Sequence, residues 1–387
     1  MFNGSAKNLR SIFLVGFLLT VALSLTGYLD SSFLGSFINI KTVGLLFSLG
    51  SVASIIFLSY LPKLMGRFSI SSVFYANSII YLASILGMLH AGSSFVFGVL
   101  FVTYIASGVA IYFAIDLLIE HFSAHNTIGK TRGFYLAIYN FAYLVGPLLA
   151  GLILKNNSFE IVYLVAGIFI IIMTLVYVRD LEHIEYRLKP GHATFWQNLV
   201  RLSKNSNLFR VYFVNLMLSF FFSWMAIYMP IHLNQFVGFG WDKIGALFAL
   251  MHIPYVALEI PLGRLADRYH SEKKLMSIGL VIIGISTAAI SFIGSNDFWI
   301  WALALIATRA GASFIQVSTE SYFFKRVTEK DAGLVAIFRN ATPVAYILGP
   351  LVATLFLSFL SYADLFLALG ALMICVILVS LGLKNTR

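Results

Sequence analysis

Arg309, Glu259 and His252 lie inside long apolar runs of this sequence, where a charge is costly. An arginine does not lose its proton to escape such surroundings. Arg309 therefore needs either a carboxylate partner, for which Glu259 is the candidate, or a hydrated cavity where a ligand supplies the counter-charge. A buried carboxylate or histidine can also take up and release a proton. We predict a polar site around these three residues, although Glu259 could simply brace the adjoining charged loop and His252 could simply pack.

The amino-acid composition indicates whether that site lies in a water-soluble protein or in a membrane protein. Hydrophobic residues make up 60% of the chain, the mean hydropathy is +0.90, and 36 of the 387 residues are Phe, which excludes a soluble protein. Runs of about 20 apolar residues recur, enough for a helix to cross a bilayer, and they do not alternate as the strands of a membrane barrel would. The sequence predicts an all-α integral membrane protein with twelve transmembrane helices. They are placed at residues 12–35, 43–61, 73–89, 95–119, 134–154, 161–178, 211–231, 244–262, 275–293, 299–318, 338–360 and 365–383.

The net charge of +10 is distributed unevenly along the chain. With both termini placed inside, 22 of the 26 Lys and Arg residues fall in inner segments, and only Lys41, Lys155 and Lys243 fall in outer loops. Basic residues near membrane spans favour the cytoplasmic side. The charge therefore predicts topology rather than nucleic-acid binding: a multi-pass protein of the cell membrane with both termini cytoplasmic. The single cysteine, Cys375, excludes internal disulfides.

The densest run of charge joins the eighth and ninth apolar runs. It reads Gly263-Arg264-Leu265-Ala266-Asp267-Arg268, with Lys273 and Lys274 close behind. This loop resembles the G-x-L-A-D-R signature, followed by basic residues, that transporters of the major facilitator superfamily carry on short cytoplasmic loops. The corresponding segment of the first half, residues 62–67, has Gly66 in place of Asp267, so the acidic role is not carried over there.

The resemblance implies a conformational switch at this loop. Asp267, just past a helix end, can accept hydrogen bonds from a neighbouring helix N-terminus and pair with basic side chains. We expect those interactions to break when the cytoplasmic side opens. Gly263 and Arg268 belong to the same loop, and we expect Glu320 and Arg339, at the inner ends of the tenth and eleventh runs, to join the network.

An internal repeat supports two halves of equal topology. Glu120 and Asn140 recur 200 positions later as Glu320 and Asn340, and Gly146-Pro147-Leu148 recurs 203 positions later. Six spans per half give both halves the same orientation, as parallel repeats require. We predict a first bundle at residues 1–178, a cytoplasmic linker at 179–210 and a second bundle at 211–387. Within the linker, Phe195, Leu199 and Leu202 at helical spacing predict a short amphipathic helix.

In proteins that this chain resembles, the first, fourth, seventh and tenth spans line a central substrate cavity. Aromatic and amide side chains suit a ligand that is partly polar and partly apolar. The resemblance places near that cavity Tyr28, Tyr112, Asn215, Trp224, Tyr228, Arg309 and Gln316, and Glu259 and His252 complete the candidate site. Glu259 or Asp30 is the candidate for proton coupling.

The resemblance implies a secondary active transporter that moves a small organic molecule by rocking two halves about a midplane site. Residues 142–151 resemble a motif of proton-coupled exporters and favour export, but Gly349-Pro350 repeats its core, so the motif could equally serve packing. An uptake symporter and a transporter-like receptor that no longer cycles remain alternatives. An enzyme is disfavoured because no nucleophile, base and orienting group converge. The expected partners are the substrate, the bilayer and protons, with no nucleic acid, metal or cofactor, and the chain is expected to be a monomer.

Overall fold

Helices form all the regular structure in the described part of the chain. The computed structural model describes residues 2–39, 43–122, 128–156, 158–182, 184, 195–269, 272–327 and 332–384. In chain order the helices are α1 (Phe2–Gly27), α2 (Asp30–Gly35), α3 (Val43–Arg67), α4 (Ile70–Leu89), α5 (Ser94–Phe122), α6 (Ile128–Leu154), α7 (Phe159–Leu181), α8 (Phe195–Lys204), α9 (Ser206–Ile231), α10 (Trp241–Leu250), α11 (Ile253–Tyr269), α12 (Glu272–Ile290), α13 (Phe298–Phe324), α14 (Ala332–Arg339), α15 (Ala341–Phe356), α16 (Tyr362–Cys375) and α17 (Ile377–Leu381). A short π-helix, His232–Phe236, continues α9.

Ten helical stretches among the described residues are long and apolar enough to cross a membrane. The predicted fifth span lies on α6, where the apolar part is the shorter stretch Ile138–Leu154. The predicted eleventh span is divided between α14 and α15 by a turn at Asn340. The prediction of an all-helical membrane protein is confirmed, while the count of twelve spans stays a prediction.

The first and eighth predicted spans are also interrupted. The first ends as α1 at Gly27, and a turn at Tyr28 and Leu29 leads into α2. The eighth breaks at Met251 and His252, between α10 and α11. Pro254 accounts for the second break, because proline lacks an amide hydrogen and is tolerated in the first turn of a helix but not in its interior.

The helices form two compact units. One contains α1 to α7 together with α10, and the other contains α8, α9 and α11 to α17. The amphipathic helix predicted in the linker is present as α8, with Leu202 buried, and it packs against α9 and α14.

Glycines allow helices within each unit to cross at backbone contact. In the first unit, a Cβ atom added to Gly245 of α10 would lie 2.8 Å from the Cα of Gly151 in α6. In the second unit, a Cβ on Gly311 of α13 would lie 2.5 Å from the backbone nitrogen of Ile283 in α12. Such small residues are typical of membrane helix interfaces, where close packing replaces the hydrophobic effect.

The repeated Gly-Pro segments make the same contact in each unit. A Cβ on Gly146 of α6 would collide with the hydroxyl of Ser24 on α1, and a Cβ on Gly349 of α15 would collide with the hydroxyl of Ser223 on α9. The Ser24 hydroxyl also donates a hydrogen bond to the carbonyl of Ala142, at 3.0 Å. The Gly-Pro core therefore supports helix packing in both halves.

Candidate functional site

Arg309 lies near the middle of α13, about 16 Å from its first residue by the rise of a helix. Its side chain is buried, with 4% of its surface exposed. The guanidinium carbon Cζ lies 5.1 Å from the ring centroid of Phe222 and 5.7 Å from that of Phe221, both on α9. Phenylalanine faces attract a cation at such distances, so α9 partly stabilises the charge.

The ion pair with Glu259 that the sequence suggested is not formed. Among the described residues, no carboxylate pairs with the Arg309 guanidinium, and its Nε has no hydrogen-bond partner. Glu259, on α11, lies within electrostatic range of Glu320 instead. Glu320 is eleven residues beyond Arg309 on α13, about 16 Å further along the helix. The ion pair is therefore absent from the described part of the chain, and a ligand as the counter-charge of Arg309 stays a prediction.

Three predicted cavity residues on α9 direct their polar groups to backbone carbonyls. Asn215 donates to the carbonyl of Phe338 at 3.3 Å, Trp224 to that of Gly349 at 2.7 Å, and Tyr228 to that of Pro350 at 3.4 Å. Trp224 and Tyr228 are almost fully buried. Hydrogen bonds between packed helices of the second unit therefore satisfy the amide, indole and phenol groups of these three residues.

His252 and Gln316 occupy different surroundings in the second unit. His252 is buried at the break before α11, with its ring centroid 6.2 Å from that of Tyr255. Gln316 is half-buried on α13, two turns beyond Arg309. Gln316 thus shares a helix with Arg309, as expected, while His252 lies in the turn between α10 and α11.

The first unit holds the other residues predicted for the cavity and for proton coupling. The Asp30 carboxylate is buried at the start of α2 and accepts a hydrogen bond from the hydroxyl of Tyr163 on α7, at 2.5 Å. Tyr28 is buried against Phe248, with ring centroids 4.4 Å apart. Tyr112 is half-buried on α5, and its ring lies 6.1 Å from that of Tyr139 on α6.

Two of the predicted switch residues are joined by an ion pair. Arg339, the last residue of α14, donates through Nη1 and Nη2 to the two carboxylate oxygens of Glu320 on α13, the second bond being 3.2 Å long. The Arg339 guanidinium also lies 5.6 Å from the ring centroid of Phe324. A two-point bond of this kind fixes orientation as well as distance.

The signature loop itself is described only in part. Gly263 lies on α11 with open space around its Cα, since an added Cβ would meet no atom within 4 Å. The side chains of Asp267 and Arg268 lie outside the described part of the chain.

A second ion pair, which the sequence did not predict, anchors the far side of that loop. Glu272, the first residue of α12, has a side chain only 1% exposed, and its Oε1 lies 2.6 Å from the Nζ of Lys325. The hydroxyl of Ser321 on α13 donates to the same oxygen at 3.3 Å. In the sequence, Glu272 stands in a run of charged residues. Such a run predicts a loop, but it does not show which of its charged side chains is buried.

A family model described as Major Facilitator Superfamily matches residues 10–252 and, a second time, residues 226–387. The chain belongs to the Major Facilitator Superfamily. The double match agrees with the internal repeat, so the predicted family resemblance is confirmed.

Relatives of this superfamily member are distant in sequence. "MFS-type transporter SLC18B1" of Mus musculus is 24% identical over 285 residues, which cover 70% of this chain and 60% of the relative's length. Among solved structures, an auto-inhibited POT family peptide transporter superposes with a TM-score of 0.80 at 13% identity, over 98% of both chains. A mutant of the nucleoside transporter NupG gives a TM-score of 0.76 at 12% identity, covering 97% of this chain and 99% of that one. At these identities the structures show that the superfamily fold is shared.

Proposed function

We propose that this superfamily member is a secondary active transporter that moves a small organic molecule across the membrane by alternating access. One observation supports the step from family to solute binding: a charged, buried side chain, Arg309, lies mid-span without a carboxylate partner among the described residues. Ionisable residues at such depth usually mark a substrate or ion pathway. The relatives named above are called transporters, which agrees with transport rather than enzymatic chemistry.

Proton coupling is part of the proposal, with Glu259 or Asp30 as the group that carries the proton. The two carboxyl groups lie in different units: Glu259 is on α11, and Asp30, on α2, accepts a hydrogen bond from the hydroxyl of Tyr163. A coupling carboxyl must lose its proton on one side of the membrane and regain it on the other. Replacing the true coupling group by its amide should therefore abolish accumulation driven by a pH gradient and leave passive exchange of substrate intact.

The proposed direction is export, on the resemblance of residues 142–151 to the motif of exporters. Packing explains the Gly-Pro core of that segment in both units, since Gly146 and Gly349 make equivalent contacts with a serine. Uptake is thus the alternative direction, and the flux measurement must distinguish it from export. A transporter-like receptor is the second alternative, and it would bind solute without moving it.

The test is solute flux in proteoliposomes that contain the purified full chain. With a pH gradient imposed, a panel of labelled amphipathic organic solutes should include at least one that accumulates in protein-containing vesicles and not in empty ones. Glu259→Gln and Asp30→Asn, measured separately, should identify one variant that loses gradient-driven accumulation by at least tenfold and retains exchange. Solute binding with no flux under any gradient would favour the receptor, and loss of accumulation in neither variant would contradict coupling through these residues.

A further inference from the structure

Arg309 and Ser313 lie one helical turn apart on α13 and therefore on the same face. Both are buried, with exposed fractions of 4% and 0%. The Nε of Arg309 and the hydroxyl of Ser313 are enclosed polar atoms that have no hydrogen-bond partner among the described residues. Because buried polar groups are almost always satisfied, two neighbouring exceptions on one face require an explanation.

Ser313 is unusual for its helix. The buried hydroxyls of Thr308 and Ser318, on the same helix, donate to carbonyls of their own helix at 2.7 Å and 2.6 Å. This local bond is the ordinary solution for a hydroxyl inside a membrane helix, because it needs no second element. The Ser313 hydroxyl does not form it and is left available to an external acceptor.

The surroundings of Arg309 favour an organic rather than an inorganic partner. The carbon Cζ of its guanidinium lies 5.7 Å from the ring centroid of Phe221 and 5.1 Å from that of Phe222. The rings attract the cation, yet they supply no hydrogen-bond acceptor for its five N–H groups. Phe221 is fully buried, but the half-buried Phe222 offers an apolar surface beside the charge, which suits a ligand with an aromatic or aliphatic body.

We propose that Arg309 and Ser313 bind the carboxylate of an organic acid whose apolar body lies against Phe222. The planar guanidinium matches a carboxylate at two points, and the Ser313 hydroxyl donates a further bond to it. A single arginine balances a single negative charge, so a monocarboxylate fits the site and a dianion does not. This inference rests on the proposed function, because it names the substrate class of the proposed transporter.

Binding is tested on the purified full chain in detergent, with the shift of its apparent melting temperature as readout, because a ligand of the native state raises that temperature. The probes are benzoate and 3-phenylpropionate, their uncharged amides, and chloride. We expect the two acids to raise the melting temperature in a saturable manner, and the amides and chloride to leave it unchanged. Equal shifts from acid and amide, saturation by chloride alone, or no shift from either acid would overturn the proposal.

Single substitutions distinguish a loss of ligand binding from a loss of folding. Arg309→Met should abolish the shift produced by the acids, Arg309→Lys should lower their apparent affinity about tenfold because the two-point fork is lost, and Ser313→Ala should lower it severalfold. Ser318→Ala is the matched control, since that hydroxyl is satisfied within its own helix. If Arg309→Met does not fold, the Lys and Ala variants decide the matter, and unaltered affinity in both would refute the site.

The flux assay is scored independently of this binding. Acid binding that depends on Arg309, with no flux of any solute, would leave the site standing and remove the proposed transport function. Flux of neutral or cationic solutes, with no acid binding, would do the reverse.

Discussion

The carboxylate of Glu272 and the ammonium group of Lys325 lie 2.6 Å apart and tie the start of α12 to the end of α13. The two partners are unequally buried, with side-chain exposures of 1% for Glu272 and 29% for Lys325. The Lys325 ammonium group also approaches the carbonyl of Ala266 on α11, at 3.4 Å. Lys325 thus links the end of α13 to both α11 and α12, the two helices on either side of residues 270 and 271.

This asymmetry predicts unequal costs for removing each partner. Lys325→Met leaves a carboxylate that cannot reach water and should cost about 3 kcal/mol of stability. Glu272→Gln leaves a lysine that can turn outward, and should cost about 1 kcal/mol. Melting in detergent checks the order, with the exposed Lys274→Met as control, and the double variant should cost less than the sum of the single changes. A larger loss for Glu272→Gln than for Lys325→Met would contradict this explanation.

The crossing of α6 and α10 predicts a strict requirement at Gly245. An added methyl group would lie 2.8 Å from the Cα of Gly151 and even closer to the carbonyl of Pro147. Gly245→Ala should therefore push the helices apart and destabilise the protein by about 1–3 kcal/mol. Gly27→Ala, also at a helical glycine but with open space around it, should be neutral or slightly stabilising. Equal melting temperatures for the two variants would show that the crossing tolerates a wider spacing.

The ion pair between Glu320 and Arg339 predicts an effect on cycling rather than on stability. Both side chains are partly exposed, at 33% and 50%, and pairs of this kind contribute only about 0–1 kcal/mol. The melting temperature of Glu320→Gln should be close to that of the unmodified protein. Substrate turnover should change severalfold, because the ion pair stabilises only one of the two conformations and its loss shifts the equilibrium between them. Asp267→Asn should behave in the same way if the signature loop belongs to this network. Unchanged turnover in both variants, with normal expression, would mean that these residues have no part in switching.

The charge distribution predicts the sidedness of the termini. Lys155 and Asp242, both assigned to outer loops, form an ion pair of 3.9 Å within the first unit. In a Cys375→Ser background, Lys155→Cys should react with a membrane-impermeant maleimide on intact cells, and Lys384→Cys should react only after permeabilisation. Labelling of Lys384→Cys from outside would contradict both the cytoplasmic C-terminus and the even number of spans.

Composition and pattern determined the class of this protein. A bilayer imposes one strong requirement, a run of about 20 apolar residues for each helix, and that requirement can be read directly from the sequence. The signature loop around Asp267 and the 200-residue offset of Glu120 and Glu320 then indicated the family and its two halves. The amphipathic helix α8 was also predictable, because a helix that buries one face, here at Leu202, and exposes the other carries both faces as a pattern in its sequence.

The tertiary structure decided which face of each helix meets which neighbour. In a membrane, lipid and protein interior are similarly apolar, so no polar stripe marks the outer face of a span, and the sequence cannot tell a lining residue from a packing one. For this reason Trp224 and Tyr228 were expected to face a ligand, yet they hydrogen-bond to α15. Arg309 was expected either to pair with Glu259 or to face a ligand, and the structure places Phe221 and Phe222 beside the arginine. Helical periodicity fixes directions within one helix, and only the packing of α9, α11 and α13 fixes the distances between them.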